Sequence, residues 1–217
     1  MGGEAGSTTC DIASYIKNQL GIEPLAHATC VNATEAELMA NLRALEANNV
    51  ENILALRGDL PGGQPLEGSC IHASDLAALI SRSSSVNLVG ACYPEGHAET
   101  HDLAEDISNL HYKLDAGVKH LITQLFFDNT KFYTFMEKLR AAGITVPVEA
   151  GIMPIVTTRQ IERTIALSGA SLPADFTRMV SRYSKNPEAL YHAGIAYAID
   201  QICVLLETVR RASMYTP

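Results

Sequence analysis

The chain has 217 residues, 47% of them apolar, and its 24 acidic and 16 basic side chains give a formal net charge of −8 at pH 7. A folded chain of this size buries roughly 70% of the surface its unfolded form exposes, which excludes a disordered tail or a disulfide-stapled miniprotein. The acidic balance and the lack of a Lys/Arg-rich run exclude nucleic acid as a partner, because affinity for a phosphate backbone rests on clustered cations.

Helical and extended patterns alternate from the start. Ser7, Thr8 and Thr9 offer caps for an amphipathic stretch through Ile12, Ile16 and Leu20, closed by Gly21. The apolar run 25–31 is too short for a helix and reads as a buried strand. Thr34 and Glu37 form a capping box that opens a helix with the stripe Leu38, Leu42 and Leu45. A strand is expected at 52–56, a helix over about 74–83, a strand at 87–92 and a helix over about 100–116, stopped by Gly117. Next come a strand at 120–124, a helix over about 130–142 stopped by Gly143, and a strand at 146–150. From Thr157 to about Arg211 the pattern is helical, with breaks near Gly169 to Pro173 and at Pro187.

Five strands, each followed by a helix, imply a parallel sheet, since parallel neighbours need crossover connections. Strand centres lie about 27 to 36 residues apart, the length of a βα unit. With no linker or low-complexity tract, residues 1–217 read as one domain. An α/β barrel usually takes about 250 residues, so the expectation is a barrel that is cut short.

No apolar run approaches the roughly 20 residues of a bilayer span. The first residues carry neither a basic nor an apolar leader pattern, so no membrane association is expected. Gly6 stands where an N-myristoylation motif wants Ser or Thr. Cysteines at 10, 30, 70, 92 and 203 form no C-x-x-C pair, which suits reduced thiols and a cytoplasmic location.

Polar residues cluster at the strands and just after them. Strand one carries His27; strand two runs into Arg57-Gly58-Asp59; strand three runs into Tyr93-Pro94-Glu95-Gly96-His97. Strand four ends at Gln124, and strand five leads to Gly151-Ile152-Met153-Pro154. In parallel α/β folds the C-terminal strand ends form the ligand-binding rim. Arg57, Gly58 and Asp59 place a cation, a residue that admits close backbone approach and a carboxylate within one turn. As ordinary loop residues, Arg57 and Asp59 would instead pair for little net energy. Asp106, Asn109 and Lys113 share one helical face by spacing, either as a solvated face or as a set reaching phosphate or ribose hydroxyls.

His97 and His101 have i, i+4 spacing, yet no third ligand stands at a recognisable spacing, so no metal is expected. G-x-G-x-x-G, P-loop and G-x-S-x-G patterns are all missing, and neither Lys113 nor Lys119 sits at a strand end as a Schiff-base barrel would prefer.

At these residues the sequence resembles the methylenetetrahydrofolate reductase family. The matching stretches are His27-Ala-Thr-Cys30, Asn52-Ile-Leu-Ala-Leu-Arg-Gly-Asp-Leu-Pro61, Ala91-Cys-Tyr-Pro-Glu-Gly-His97, Leu114-Asp-Ala-Gly117, Ile122-Thr-Gln-Leu-Phe-Phe-Asp128 and Gly151-Ile-Met-Pro154. The resemblance implies a (β/α)8 TIM-barrel-type α/β fold, incomplete here, with about five parallel strands and the first two and the last strand absent. It also implies FAD at the C-terminal rim, with NAD(P)H and folate using the flavin in turn to make methyltetrahydrofolate for one-carbon metabolism and methionine supply. By position, His27, Arg57, Gly58, Asp59, His72, Ala73, Tyr93, His97, Asp106, Asn109 and Lys113 would hold FAD. Gln124 would face folate. Asp59 would serve as the catalytic and substrate-binding carboxylate, where negative charge favours a cationic folate methylene.

The acid for ring opening and a folate-binding arginine belong to the strands this reading leaves out. The alternative reading is a non-catalytic barrel fragment that retains at most FAD or partner binding. Open sheet edges would invite association, including of copies of this chain as a homo-oligomer.

Overall fold

Five strands and eight helices follow one another in the computed structural model, which describes residues 2–58, 72–97, 99–100 and 102–214. They are α1 (Gly2–Leu20), β1 (Leu25–Thr29), α2 (Glu35–Ala47), β2 (Asn52–Leu56), α3 (Ala73–Ser83), β3 (Asn87–Cys92), α4 (Leu103–Asp115), β4 (His120–Thr123), α5 (Asn129–Ala141), β5 (Val148–Glu149), α6 (Thr158–Ser168), α7 (Ala174–Tyr183) and α8 (Pro187–Met214). The strands form one sheet in the order β1-β2-β3-β4-β5, and β2 runs parallel to β1 and β3. This βα alternation is the arrangement of an incomplete TIM-barrel-type fold.

The described residues group into two compact units. The first takes residues 1–91, 109–122 and 146–148. Its core is built on Ile53, Leu54 and Ala55 of β2, all buried, because a central parallel strand is covered on both faces. Leu38, Leu42 and Leu45 give α2 its buried stripe, and Leu76, Ala77, Leu79 and Ile80 do the same for α3. Register is fixed at the strand starts by an amide ladder: Asn87 donates to Asn52 Oδ1 at 3.0 Å, and Asn52 donates to Glu23 Oε1 at 2.9 Å. The Thr34 and Glu37 capping box forms as its spacing predicts.

The second unit takes residues 92–108, 123–145 and 149–217. Phe127, Ile155, Ala170 and Phe176 form its buried cluster, with Phe127 and Phe176 ring centroids 4.5 Å apart. Helix α8 contributes a stripe at 190, 194, 198, 201 and 205, spaced by three or four residues as one helix face requires. Two of its polar groups bond into the segment after β4: Tyr197 Oη donates to the Phe127 carbonyl at 2.7 Å, and Gln201 Nε2 donates to the Phe126 carbonyl at 2.9 Å.

Three expectations need correction. Helix α1 starts at Gly2, so Ser7, Thr8 and Thr9 lie within the helix and do not cap it. Strand β5 is only two residues long, since Pro147 has no N–H to give a ladder and contributes only its carbonyl, which accepts from Leu121 at 2.9 Å. The third concerns α8. Its stretch Pro187–Thr208 is 22 residues long and contains 18 consecutive residues of mean hydropathy 1.4, 28% of them buried, which is enough by length and composition to cross a bilayer. Ile199 and Leu206 remain 55% and 57% exposed. The spread-out charges at Glu188, Asp200 and Glu207 hide this run from a reading that looks for uninterrupted apolar residues.

Candidate functional site

In the first unit the candidate residues gather where β1 and β2 end. The segment after β1 is tied to the one after β2: Cys30 N and Val31 N both donate to the Arg57 carbonyl, at 3.1 and 2.8 Å. Gly58 follows with φ +91°, and a Cβ there would lie 2.8 Å from Val31 Cγ1 and 3.1 Å from Thr29 Cβ. Only glycine meets both demands, which explains its place between Arg57 and position 59. Arg57 is half-buried, and its Nε donates to the Gly58 carbonyl at 3.4 Å. The guanidinium stem is thereby held against its own turn.

His27 lies within β1, opposite Leu54 in the register, and is exposed. His72 caps α3 through its backbone, donating from N–H to Asp75 Oδ2 at 2.9 Å. Its carbonyl accepts from the Cys30 thiol at 3.6 Å, which links the end of β1 to the start of α3. Ala73 is the first residue of that helix. Asp59 lies outside the described residues, as does His101 of the histidine pair.

Asn109 and Lys113 also belong to the first unit, one turn apart on α4. Asn109 is exposed. Lys113 runs past Gly90, where a Cβ would crowd Val118 and Leu121, and its Nζ donates to the Ala91 carbonyl at 2.6 Å. This bond positions the Lys113 ammonium near the end of β3.

The second unit holds Tyr93, His97, Asp106 and Gln124. Tyr93 and His97 pack edge to face with centroids 4.6 Å apart. Asp106, in the first turn of α4, accepts from His97 N at 2.9 Å and from Thr100 Oγ1 at 3.4 Å. The face shared by Asp106, Asn109 and Lys113 is therefore differentiated: Asp106 serves the loop after β3, and Lys113 serves β3 itself. Gln124 N donates to the Cys92 carbonyl at 2.7 Å, and its side-chain oxygen accepts from Leu125 N at 3.0 Å. The amide nitrogen is thus the end of Gln124 not consumed by that turn.

Thr123, just before Gln124, is buried, and its hydroxyl accepts from Gly151 N at 2.9 Å. A Cβ on Gly151 would lie 2.2 Å from the Thr123 carbonyl oxygen, so glycine alone lets the 151–154 segment lie against the end of β4.

The sequence reading missed the anchor of this loop at Glu95. Its carboxylate accepts from Ser171 N at 3.2 Å and from the Ser171 hydroxyl. A contact between residues so far apart in the chain has no local signature. A cavity of about 410 Å3 beside it is lined by Pro94, Glu95, Leu103, Asp128, Thr130, Lys131, Thr134 and Lys138 and takes in none of the expected site residues.

Comparison with known proteins places the chain in a family. A family model described as methylenetetrahydrofolate reductase matches residues 1–216. The 5,10-methylenetetrahydrofolate reductase of Escherichia coli K12 is 33% identical over 209 residues, covering 96% of this chain and 70% of the relative. An Arabidopsis thaliana relative named methylenetetrahydrofolate reductase (NADH) 1 is 32% identical over 233 residues, and this chain spans 39% of its length. Among solved structures, a Clostridium thermocellum protein described as binding two copies of 5-methyl-5,6,7,8-tetrahydrofolic acid shares the fold with TM-score 0.61 at 16% identity, over 91% of this chain and 66% of that one.

Proposed function

This chain belongs to the methylenetetrahydrofolate reductase family, and from that premise we propose that it is an FAD-dependent reductase that takes hydride from NAD(P)H and delivers it to methylenetetrahydrofolate. The observation that carries this reading is the alignment of nearly the whole chain with the bacterial reductases. The folate bound by the Clostridium thermocellum protein of like fold supports the choice of substrate class.

The residues present fit a flavin nucleotide by the chemistry of their donors. Arg57 and Lys113 are cations suited to phosphate, Asn109 can serve hydroxyls, and Tyr93 offers an aromatic face. His27, Gly58, His72, Ala73, His97 and Asp106 complete the set that the family reading assigns to FAD. When bound, FAD supplies the hydride relay between nicotinamide and the folate methylene. The chain's own residues bind and orient. Gln124 presents its amide to folate, and the Asp59 carboxylate stabilises positive charge on the folate methylene.

The test is turnover of the full chain supplied with FAD. It should oxidise NADH or NADPH with a quinone acceptor and, with methylenetetrahydrofolate, form methyltetrahydrofolate. Flavin-loaded protein that oxidises neither nucleotide would refute the reductase reading.

A further inference from the structure

Gln124 is held in place by three ties where β4 ends. Its N–H donates to the Cys92 carbonyl at 2.7 Å, on the side of β3. Its side-chain oxygen accepts from Leu125 N at 3.0 Å, which fixes how the amide is turned. The third tie runs through the preceding residue, whose hydroxyl accepts from Gly151 N at 2.9 Å. Gly151 lies past the end of β5 at Glu149, so this hydroxyl stands where a ladder carbonyl would otherwise serve. The two segments are in contact there, since a Cβ on Gly151 would lie 2.2 Å from the Thr123 carbonyl oxygen. Thr123 itself is only 4% exposed, too enclosed to touch a ligand.

We propose that Thr123 is a positioning residue for the folate step: its hydroxyl binds the 151–154 segment to the end of β4 and thereby sets where Gln124 presents its amide. This rests on the reading of Gln124 as the folate contact and names the group that keeps that contact in place. The link from bond to function is geometric. Thr123 and Gln124 share one peptide plane, so a shift of Thr123 against Gly151 carries Gln124 with it. A misplacement of about 1 Å in a substrate-positioning group can cost on the order of 100-fold in rate. Loss of one neutral hydrogen bond loosens the tie without removing the packing around it, and the expected cost is about tenfold.

The experiment compares the native chain with Thr123→Val and Thr123→Ser, each as the full chain loaded with FAD. Valine is close in shape but offers the Gly151 N–H no acceptor, whereas serine keeps the hydroxyl. Three quantities are read: exchange of the Gly151 amide hydrogen by NMR, kcat/KM for methylenetetrahydrofolate, and FAD affinity. In Thr123→Val the Gly151 amide should exchange at least about tenfold faster and kcat/KM for the folate should fall about tenfold. FAD affinity should stay within about threefold of native, because a loosened Gln124 costs flavin less than one hydrogen bond. Thr123→Ser should match the native chain in all three.

Native exchange at Gly151 in Thr123→Val overturns the tie. Fast exchange with native folate kinetics overturns the positioning role, and so does a loss in Thr123→Ser equal to that in Thr123→Val. A parallel fall in FAD affinity marks general damage to the fold and overturns it as well. If Thr123→Val does not fold, Thr123→Ala against Thr123→Ser makes the same comparison of hydroxyl absent and present. A native chain that holds FAD but reduces no methylenetetrahydrofolate refutes the reductase reading and with it the role at Gln124, a result distinct from any obtained with the variants.

Discussion

Gly58 shows how one residue carries both conformation and packing. Its φ of +91° disfavours any side chain, and Val31 and Thr29 occupy the space a Cβ would need. Gly58→Ala should destabilise the fold by about 1–3 kcal/mol, read as a fall in the denaturant midpoint. At Glu37, hydrogen bonds from the Thr34 backbone and hydroxyl hold the carboxyl below the ordinary glutamate range. The sign follows from linkage. A lowered folded value means stability that is present above the unfolded value and lost as pH falls through the folded one. Glu37→Gln should therefore flatten that acid limb of the stability profile; an unchanged acid limb would show that the capping box contributes no pH dependence. The capping box was legible because both of its partners lie three residues apart. The grip of Asp106 on His97 was not, because its donor is a backbone N–H nine residues upstream.

At the scale of elements, β1 to β4 follow the apolar runs closely, since buried parallel strands have few polar interruptions. The breaks near Gly169 to Pro173 and at Pro187 do separate α6, α7 and α8. What the pattern concealed was the use of α8. Gln201 sits in that helix's buried stripe, and an isolated polar residue at such a position signals a partner, here the Phe126 carbonyl. Gln201→Leu should cost about 1–3 kcal/mol by leaving that carbonyl unpaired, measured by chemical denaturation.

Tyr197 behaves in the opposite sense to Glu37. Burial first, then the charges of Asp128, Asp175 and Asp200, raise its hydroxyl above the ordinary tyrosine value. Its contribution is fully present below the unfolded value and is lost as pH rises through the folded one. Tyr197→Phe should lower stability at neutral pH by about 1 kcal/mol and remove this part of the alkaline loss, both visible in melting curves recorded across pH.

For the molecule as a whole, the motif series named the family, and the match over residues 1–216 bears it out. Fold class was legible because βα units have a characteristic length. The arrangement within each unit was less so, since bonds such as Glu95 to Ser171 join distant parts of the chain. The residues proposed to hold flavin include Arg57, Gly58, Tyr93, His97, Asp106 and Lys113. The central claim is flavin binding by these residues, and titration of the full chain with FAD, followed by flavin fluorescence, tests it most directly. Saturable binding that weakens at least about tenfold in Arg57→Ala, as expected when a charged contact to phosphate is removed, is the predicted result. Absence of saturable binding, or equal affinity in the native chain and Arg57→Ala, would contradict it.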